Sequence, residues 1–331
     1  MPVSKIAVVF TGGTISMKVD PRLAAAIPGL SSQEIVSMVT NIDRYAELEI
    51  VNFASLPSPQ ITLPIMMELK STVQTLLDRR DIDGVVITHG TDTLEETAFL
   101  LDLTLNSEKP VILVAAMRNS SELGYDGPSN LSAAICAAIS PQSRNKGVLI
   151  VMNNEINSAV EVTKTHTLSL DTFKSLEFGP LGVIDNDEVI YYRDIVRHDH
   201  IDTDTLEENV YLIKAVAGMD GMFVDFAVEK GAKGLVIEAL GRGNLPPAMA
   251  DSVYSAIDKG VYVVIVSRCP KGRVLDTYGY DGGGKQLRNN GVIFGGSLNG
   301  PKARIKLMLA LGCSKNKTRI KEIFEKDLYK N

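Results

Sequence analysis

The chain has 331 residues, 45% of them hydrophobic and 22% charged, with a formal net charge of −6. This is the composition of a folded protein of about two domains, and it excludes intrinsic disorder. The acidic balance argues against nucleic acid as a partner, and no apolar run approaches the ~20 residues of a membrane-spanning helix.

The N-terminus carries one basic residue, Lys5, and then the apolar run Ile6–Phe10. That run is too short for the hydrophobic part of a secretory signal, so a cytoplasmic location is expected. Val- and Ile-rich runs recur at Val85–Ile87, Val111–Ala116, Gly147–Met152, Leu235–Ile237, Val261–Val266 and Val292–Phe294. They are continuous rather than alternating, which predicts strands buried on both faces of a parallel sheet. Helical patterns lie between them. Thr93–Leu105 puts Leu94, Ala98, Leu101 and Leu105 on one face, Ser129–Ile139 is rich in Ala, and Pro247–Ile257 and Pro301–Leu311 each open with proline. Alternation of this kind predicts an α/β fold. From Tyr191 to about Glu208 the rhythm gives way to Asp, His, Arg and Thr. Domains over 1–190 and 213–331, joined by a linker over 191–212, are therefore expected. Cys136, Cys269 and Cys313 are far apart and odd in number, which predicts reduced thiols rather than a disulfide framework or a metal knuckle.

Three motifs carry candidate chemistry. Thr11-Gly12-Gly13-Thr14 directly follows the first strand, and Thr88-His89-Gly90-Thr91-Asp92-Thr93 directly follows Val85–Ile87. Ligands of open α/β sheets bind beyond the carboxyl ends of strands, and a hydroxyl held there is a nucleophile if a base activates it. Thr93 and Glu96 have the spacing of a helix capping box. The third motif, Val162-Thr163-Lys164-Thr165, offers a lysine that is either a solvated charge or, buried beside a carboxylate, a base. Two further patterns are weaker. Gly279–Lys285 has phosphate-loop spacing, but Gln286 stands where a Ser or Thr would bind Mg²⁺. His198-Asp199-His200 with Asp202 reads as a solvated loop rather than a metal site, and no metal is expected.

Together the segments TGGTIS (Thr11–Ser16), THGTDTLEET (Thr88–Thr97), AMRNSSELGYDGPSN (Ala116–Asn130), VTKTHTLSLDTFK (Val162–Lys174), GPLG (Gly179–Gly182) and GGSLNGPKAR (Gly295–Arg304) resemble, in order, the bacterial-type L-asparaginase/glutaminase family. The resemblance implies a larger N-terminal domain with a flavodoxin-like parallel sheet and a smaller C-terminal α/β domain. It implies cofactor-free hydrolysis of the L-asparagine side-chain amide, in a homodimer or homotetramer whose sites are completed across subunits. Carried onto matching positions, Thr14 is the nucleophile, and Thr91, Asp92 and Lys164 form a second cluster. Ser58 holds the substrate carboxylate and Asp92 grips its ammonium. Backbone N–H groups near Thr91 and Ala116 face developing charge, and Asn244 is the residue that crosses to a partner.

The chain departs from the family at three places. Met17–Gly29 contains no tyrosine, Pro59 follows Ser58 and leaves Gln60 as the stand-in, and Gly282–Gly284 offers no carboxylate beyond Asp281. The activator of Thr14 is thus left open among Lys18, Asp20 and Arg22. Tyr278, Tyr280 and Asp281 are the candidates for the missing carboxylate. The alternatives are a glutaminase-type enzyme, the amidase subunit of a tRNA-dependent amidotransferase, and a non-catalytic amino-acid sensor.

Overall fold

The first apolar run forms β1 (Ser4–Gly12), in which Ile6, Ala7, Val8 and Val9 are completely buried. The computed structural model describes residues 4–40, 46–195 and 199–326, and it divides into two units, Met1–His200 and Ile201–Asn331.

In the first unit β1 is followed by a hairpin of β2 (Met17–Asp20) and β3 (Ala25–Pro28), and then by α1 (Ser32–Ser37) and β4 (Ala46–Leu56). The chain continues through α2 (Leu63–Asp78), β5 (Gly84–Thr88), α3 (Leu94–Thr104), β6 (Val111–Val114), α4 (Gly127–Ile139) and β7 (Val148–Met152). It ends with the short strands β8 (Glu155–Ser158), β9 (Val162–Lys164), β10 (Phe173–Ser175), β11 (Gly182–Asp185) and β12 (Glu188–Tyr191).

Among the described residues these strands build a sheet of order β12-β11-β8-β7-β6-β5-β1-β4. The five strands β4, β1, β5, β6 and β7 are parallel, and the remaining three extend the sheet antiparallel. Taken in chain order as 1 to 5, the parallel strands lie 2-1-3-4-5, the flavodoxin-like arrangement, whose switch point is between β1 and β5. Every residue of β5, β6 and β7 is buried, as the continuous apolar runs require.

The antiparallel extension escapes a search for such runs, because its strands are short and partly polar. It is nevertheless written in turn chemistry. Asn153 and Asn154 (φ 50° and 61°) join β7 to β8, and Asn186 and Asp187 (φ 49° and 63°) join β11 to β12. Two left-handed residues in a row are what a tight hairpin needs, and Asn and Asp tolerate them best. Edge strand β4, with Glu47 and Glu49 interleaved, and α2, with only Met66, Leu69, Val73, Leu76 and Leu77 buried, likewise lack a continuous apolar run.

One expectation fails. Thr93 is the N-cap of α3, but its side chain makes no capping bond. Its hydroxyl donates instead to the Ser58 carbonyl, in the turn beyond β4, at 2.9 Å. The reciprocal capping box occurs at Ser31 and Glu34 of α1.

The second unit is β13 (Val210–Lys214), α5 (Met222–Glu229), β14 (Gly234–Ala239), α6 (Pro247–Asp258), β15 (Tyr262–Ser267), α7 (Gly284–Asn289), β16 (Ile293–Phe294), α8 (Gly300–Cys313) and α9 (Lys317–Glu325). Its parallel sheet runs β13-β14-β15-β16. Val210 already pairs with Gly234, so the first strand of this unit begins inside the stretch read as linker. Helix α8 is buried over most of its surface and packs on β13, β14 and β15.

Candidate active site

Three parallel strands, β4, β1 and β5, end side by side at the switch point, and the loops beyond them touch at the level of the backbone. Gly12 and Gly13 take φ of 108° and 86°, which few other residues tolerate. A Cβ on Gly13 would sit 2.5 Å from the Gly90 Cα, and one on Gly90 would sit 2.7 Å from the Ser58 Cβ. Glycine is therefore the condition for close approach of the segments carrying Thr14, Thr91 and Ser58. Hydrogen bonds fix the juxtaposition. The Thr11 hydroxyl donates to the Thr88 carbonyl at 2.7 Å, and the Gly13 amide donates to the Leu56 carbonyl at 3.0 Å.

Thr14 opens a 3-10 turn, Thr14–Ser16, and is partly exposed. Ser58 is buried; its hydroxyl accepts from the Asp92 amide at 3.2 Å. Thr91 is also buried. Lys164 reaches it from β9, which is braced by pairing with Phe173 of β10. Its Nζ lies 2.9 Å from the Thr91 hydroxyl and 2.7 Å from the Asp92 carboxylate, while Asp92 itself is more than half exposed. So Ser58, Thr91, Asp92 and Lys164 are joined by direct hydrogen bonds. Thr14 comes to them through the Gly13–Gly90 contact.

Ala116 is buried two residues beyond β6, on the strand next to β5. Gln60 ends the turn that starts at Ser58 and is exposed. Asn244 belongs to the second unit, in the turn after β14. Its amide donates to the Leu240 carbonyl at 3.0 Å, and its side-chain oxygen accepts from the Gly284 amide at 3.3 Å. Asn244 thus stitches two loops of its own unit. The Gly279–Lys285 stretch folds on itself, with the Gly283 amide donating to the Tyr280 carbonyl at 2.8 Å, and leads into the short helix α7. His198 lies outside the described residues, and among those described no cluster of three His, Cys, Asp or Glu could hold a metal ion.

Three further residues are of consequence; His89 reads from the sequence as structural rather than catalytic, and the other two were not singled out there. His89 is completely buried, with Nδ1 2.8 Å from the Gly90 carbonyl and Nε2 3.0 Å from the Thr97 hydroxyl. Burial pushes its pKa down to about 4, so the ring is neutral and braces the Gly90 turn against α3. Asp126 accepts from the amides of Met117 and Arg118 at 3.0 and 2.9 Å, which fixes the loop after Ala116. The Tyr125 hydroxyl donates to the Ile15 carbonyl, beside Thr14. The only signal for the last two was their place in the long 116–130 motif.

Comparison with known proteins points to one family along most of the chain. Residues 5–197 match the family model "Asparaginase, N-terminal" and residues 209–324 match "Glutaminase/Asparaginase C-terminal domain". An L-asparaginase of Bacillus licheniformis is 36% identical over 311 residues, covering 94% of this chain and 96% of that protein. L-asparaginase 2 of Bacillus subtilis is 38% identical, covering 96% and 85%. The crystal structure of a probable cytoplasmic L-asparaginase from Campylobacter jejuni superposes with a TM-score of 0.87 at 34% identity, covering 97% of this chain and 99% of the other.

Proposed function

The chain belongs to the asparaginase family, and from that premise we propose that it is an L-asparaginase, hydrolysing the side-chain amide of L-asparagine to L-aspartate and ammonia. The observation that carries the proposal is the Lys164–Thr91–Asp92 cluster held against the Thr14 turn. The Thr14 hydroxyl attacks the side-chain carbonyl carbon. Its proton passes to the departing nitrogen, so that ammonia leaves and a β-aspartyl ester remains on Thr14. Water then attacks the ester, returning a proton to the Thr14 oxygen and releasing aspartate. Thr91, in contact with Lys164, is the group that relays protons in both steps. Asp92 takes the substrate ammonium, Ser58 its carboxylate with Gln60 flanking, and backbone N–H groups near Thr91 and Ala116 meet the oxyanion.

Assembly as a homodimer or homotetramer, with Asn244 contributed across subunits, belongs to the same proposal. An apolar groove on the second unit supports assembly: Tyr211, Leu212, Phe223 and Phe226 are all exposed there. A cytoplasmic location is likewise proposed. It is supported by the likeness, at 34% identity over 97% of this chain, to the probable cytoplasmic L-asparaginase of Campylobacter jejuni. The test is release of ammonia and aspartate by purified protein from L-asparagine and, separately, from L-glutamine. Asparagine turnover well above glutamine is expected; release from neither removes the proposal.

A further inference from the structure

The turn that carries Thr14 has an unusual support. Four consecutive carbonyls define its path, and each accepts a hydrogen bond. Gly13 accepts from the Ser16 amide and hydroxyl (3.0 and 2.9 Å), and Thr14 accepts from the Met17 amide. Ser16 accepts from the amides of Gly29 and Leu30 (2.9 and 3.0 Å), and Ile15 accepts from the Tyr125 hydroxyl. Of these donors only Tyr125 comes from outside residues 13–30. No tyrosine lies between Met17 and Gly29, so no phenol of the hairpin itself reaches the turn.

The loop bearing Tyr125 is built as a strut. At its far end the Ser120 amide and hydroxyl donate to the Met17 carbonyl at 3.0 and 2.9 Å, and the Ser121 hydroxyl accepts from the Val19 amide at 3.0 Å. At its base the Asp126 carboxylate holds the amides of Met117 and Arg118 and the Asn130 side chain, and Glu122 holds Asn119. The tyrosine ring lies over Gly127, where a Cβ would run into it. Burial, with the Asp126 charge beside it, keeps the phenol protonated well above its ordinary range. The hydroxyl is therefore a fixed donor at neutral pH and not a base.

We propose that Tyr125 is the positioning residue of the nucleophile: its hydroxyl on the Ile15 carbonyl locks the turn that aims Thr14, and the 120–125 loop carries that constraint out to the hairpin. The inference rests on the reading of Thr14 as nucleophile. A locked carbonyl fixes the peptide plane one residue after Thr14. Without it the turn can rock, and a displacement of about 1 Å at a reacting atom costs up to ~100-fold in rate.

The test uses Tyr125→Phe, which keeps the ring and deletes the donor, and Gly127→Ala, which keeps the donor and displaces the ring. Steady-state kinetics with L-asparagine are read together with melting temperature and with hydrogen exchange of the Ser16–Val19 amides. In both variants kcat is expected to fall about 10- to 100-fold, with KM within about two-fold of wild type. The melting temperature should stay near wild type and the Ser16–Val19 amides should exchange faster. Retention of kcat within about two-fold in Tyr125→Phe, a loss carried by KM alone, a loss that follows melting temperature in both variants, or unchanged exchange overturns the proposal. A wild-type protein without turnover sinks the asparaginase reading instead, and the exchange comparison then decides the strut by itself.

Discussion

His89 shows how a completely buried residue braces the candidate site from behind. Its Nδ1–H donates to the Gly90 carbonyl and its Nε2 accepts from Thr97, an arrangement that only the neutral ring satisfies. Burial lowers its pKa from 6.5 to about 4. The unfolded chain therefore takes up this proton first as pH falls. The stability contribution is complete above pH 6.5 and is lost between there and about pH 4, a fall on the order of 3 kcal/mol. Unfolding in urea across that range should show the drop, and His89→Gln should flatten it; an equal slope in the variant contradicts the assignment. At Thr91 the expectation concerns rate. Thr91→Val keeps the shape and deletes the hydroxyl that meets Lys164, so turnover should fall by about 10²–10⁴ with an unchanged circular dichroism spectrum. At this scale Thr14, Thr91 and Lys164 were legible because short motifs at strand ends announce themselves. Tyr125 was not, because the carbonyl it meets lies 110 positions away in the chain.

The elements explain why those short motifs work. Gly90 is required by space: with Ser58 pressed against it, a methyl group at 90 must push the β4 and β5 loops apart. Gly90→Ala should therefore cost about 1–3 kcal/mol of stability and at least ~100-fold in kcat. Denaturant unfolding alongside ammonia release checks both. In the second unit Glu325 of α9 accepts from the Phe294 amide at 2.8 Å and pairs with Arg288 at 2.9 Å while nearly buried. Glu325→Ala should lower the stability of that unit by about 2–3 kcal/mol, read as a shifted unfolding midpoint. The buried parallel strands were legible as apolar runs. Edge strand β4 and the antiparallel extension were not, since β4 interleaves charged residues and the strands of the extension are short and partly polar. The failed capping box at Thr93 has the same kind of cause: a local pattern gave way to a tertiary partner, Ser58.

At the scale of the molecule the strand order does the selecting. With β1 and β5 adjacent and β4 outside β1, three strand ends meet at one edge. Residues 14, 58 and 91 converge there even though they are far apart in the chain. Alternation of strands and helices made this class of fold legible, and the ordered motifs made the family legible. Placement of Lys164 against Thr91 was legible only through the resemblance, because it depends on the β9–β10 hairpin that brings the lysine back. The measurement that tests the account most directly is ammonia release from L-asparagine by wild type and by Thr14→Ala, each shown to be folded. The account predicts turnover in the wild type and a loss of several orders of magnitude in the variant. Comparable turnover in both would contradict the assignment of Thr14, and no turnover in either would contradict the assignment of the activity.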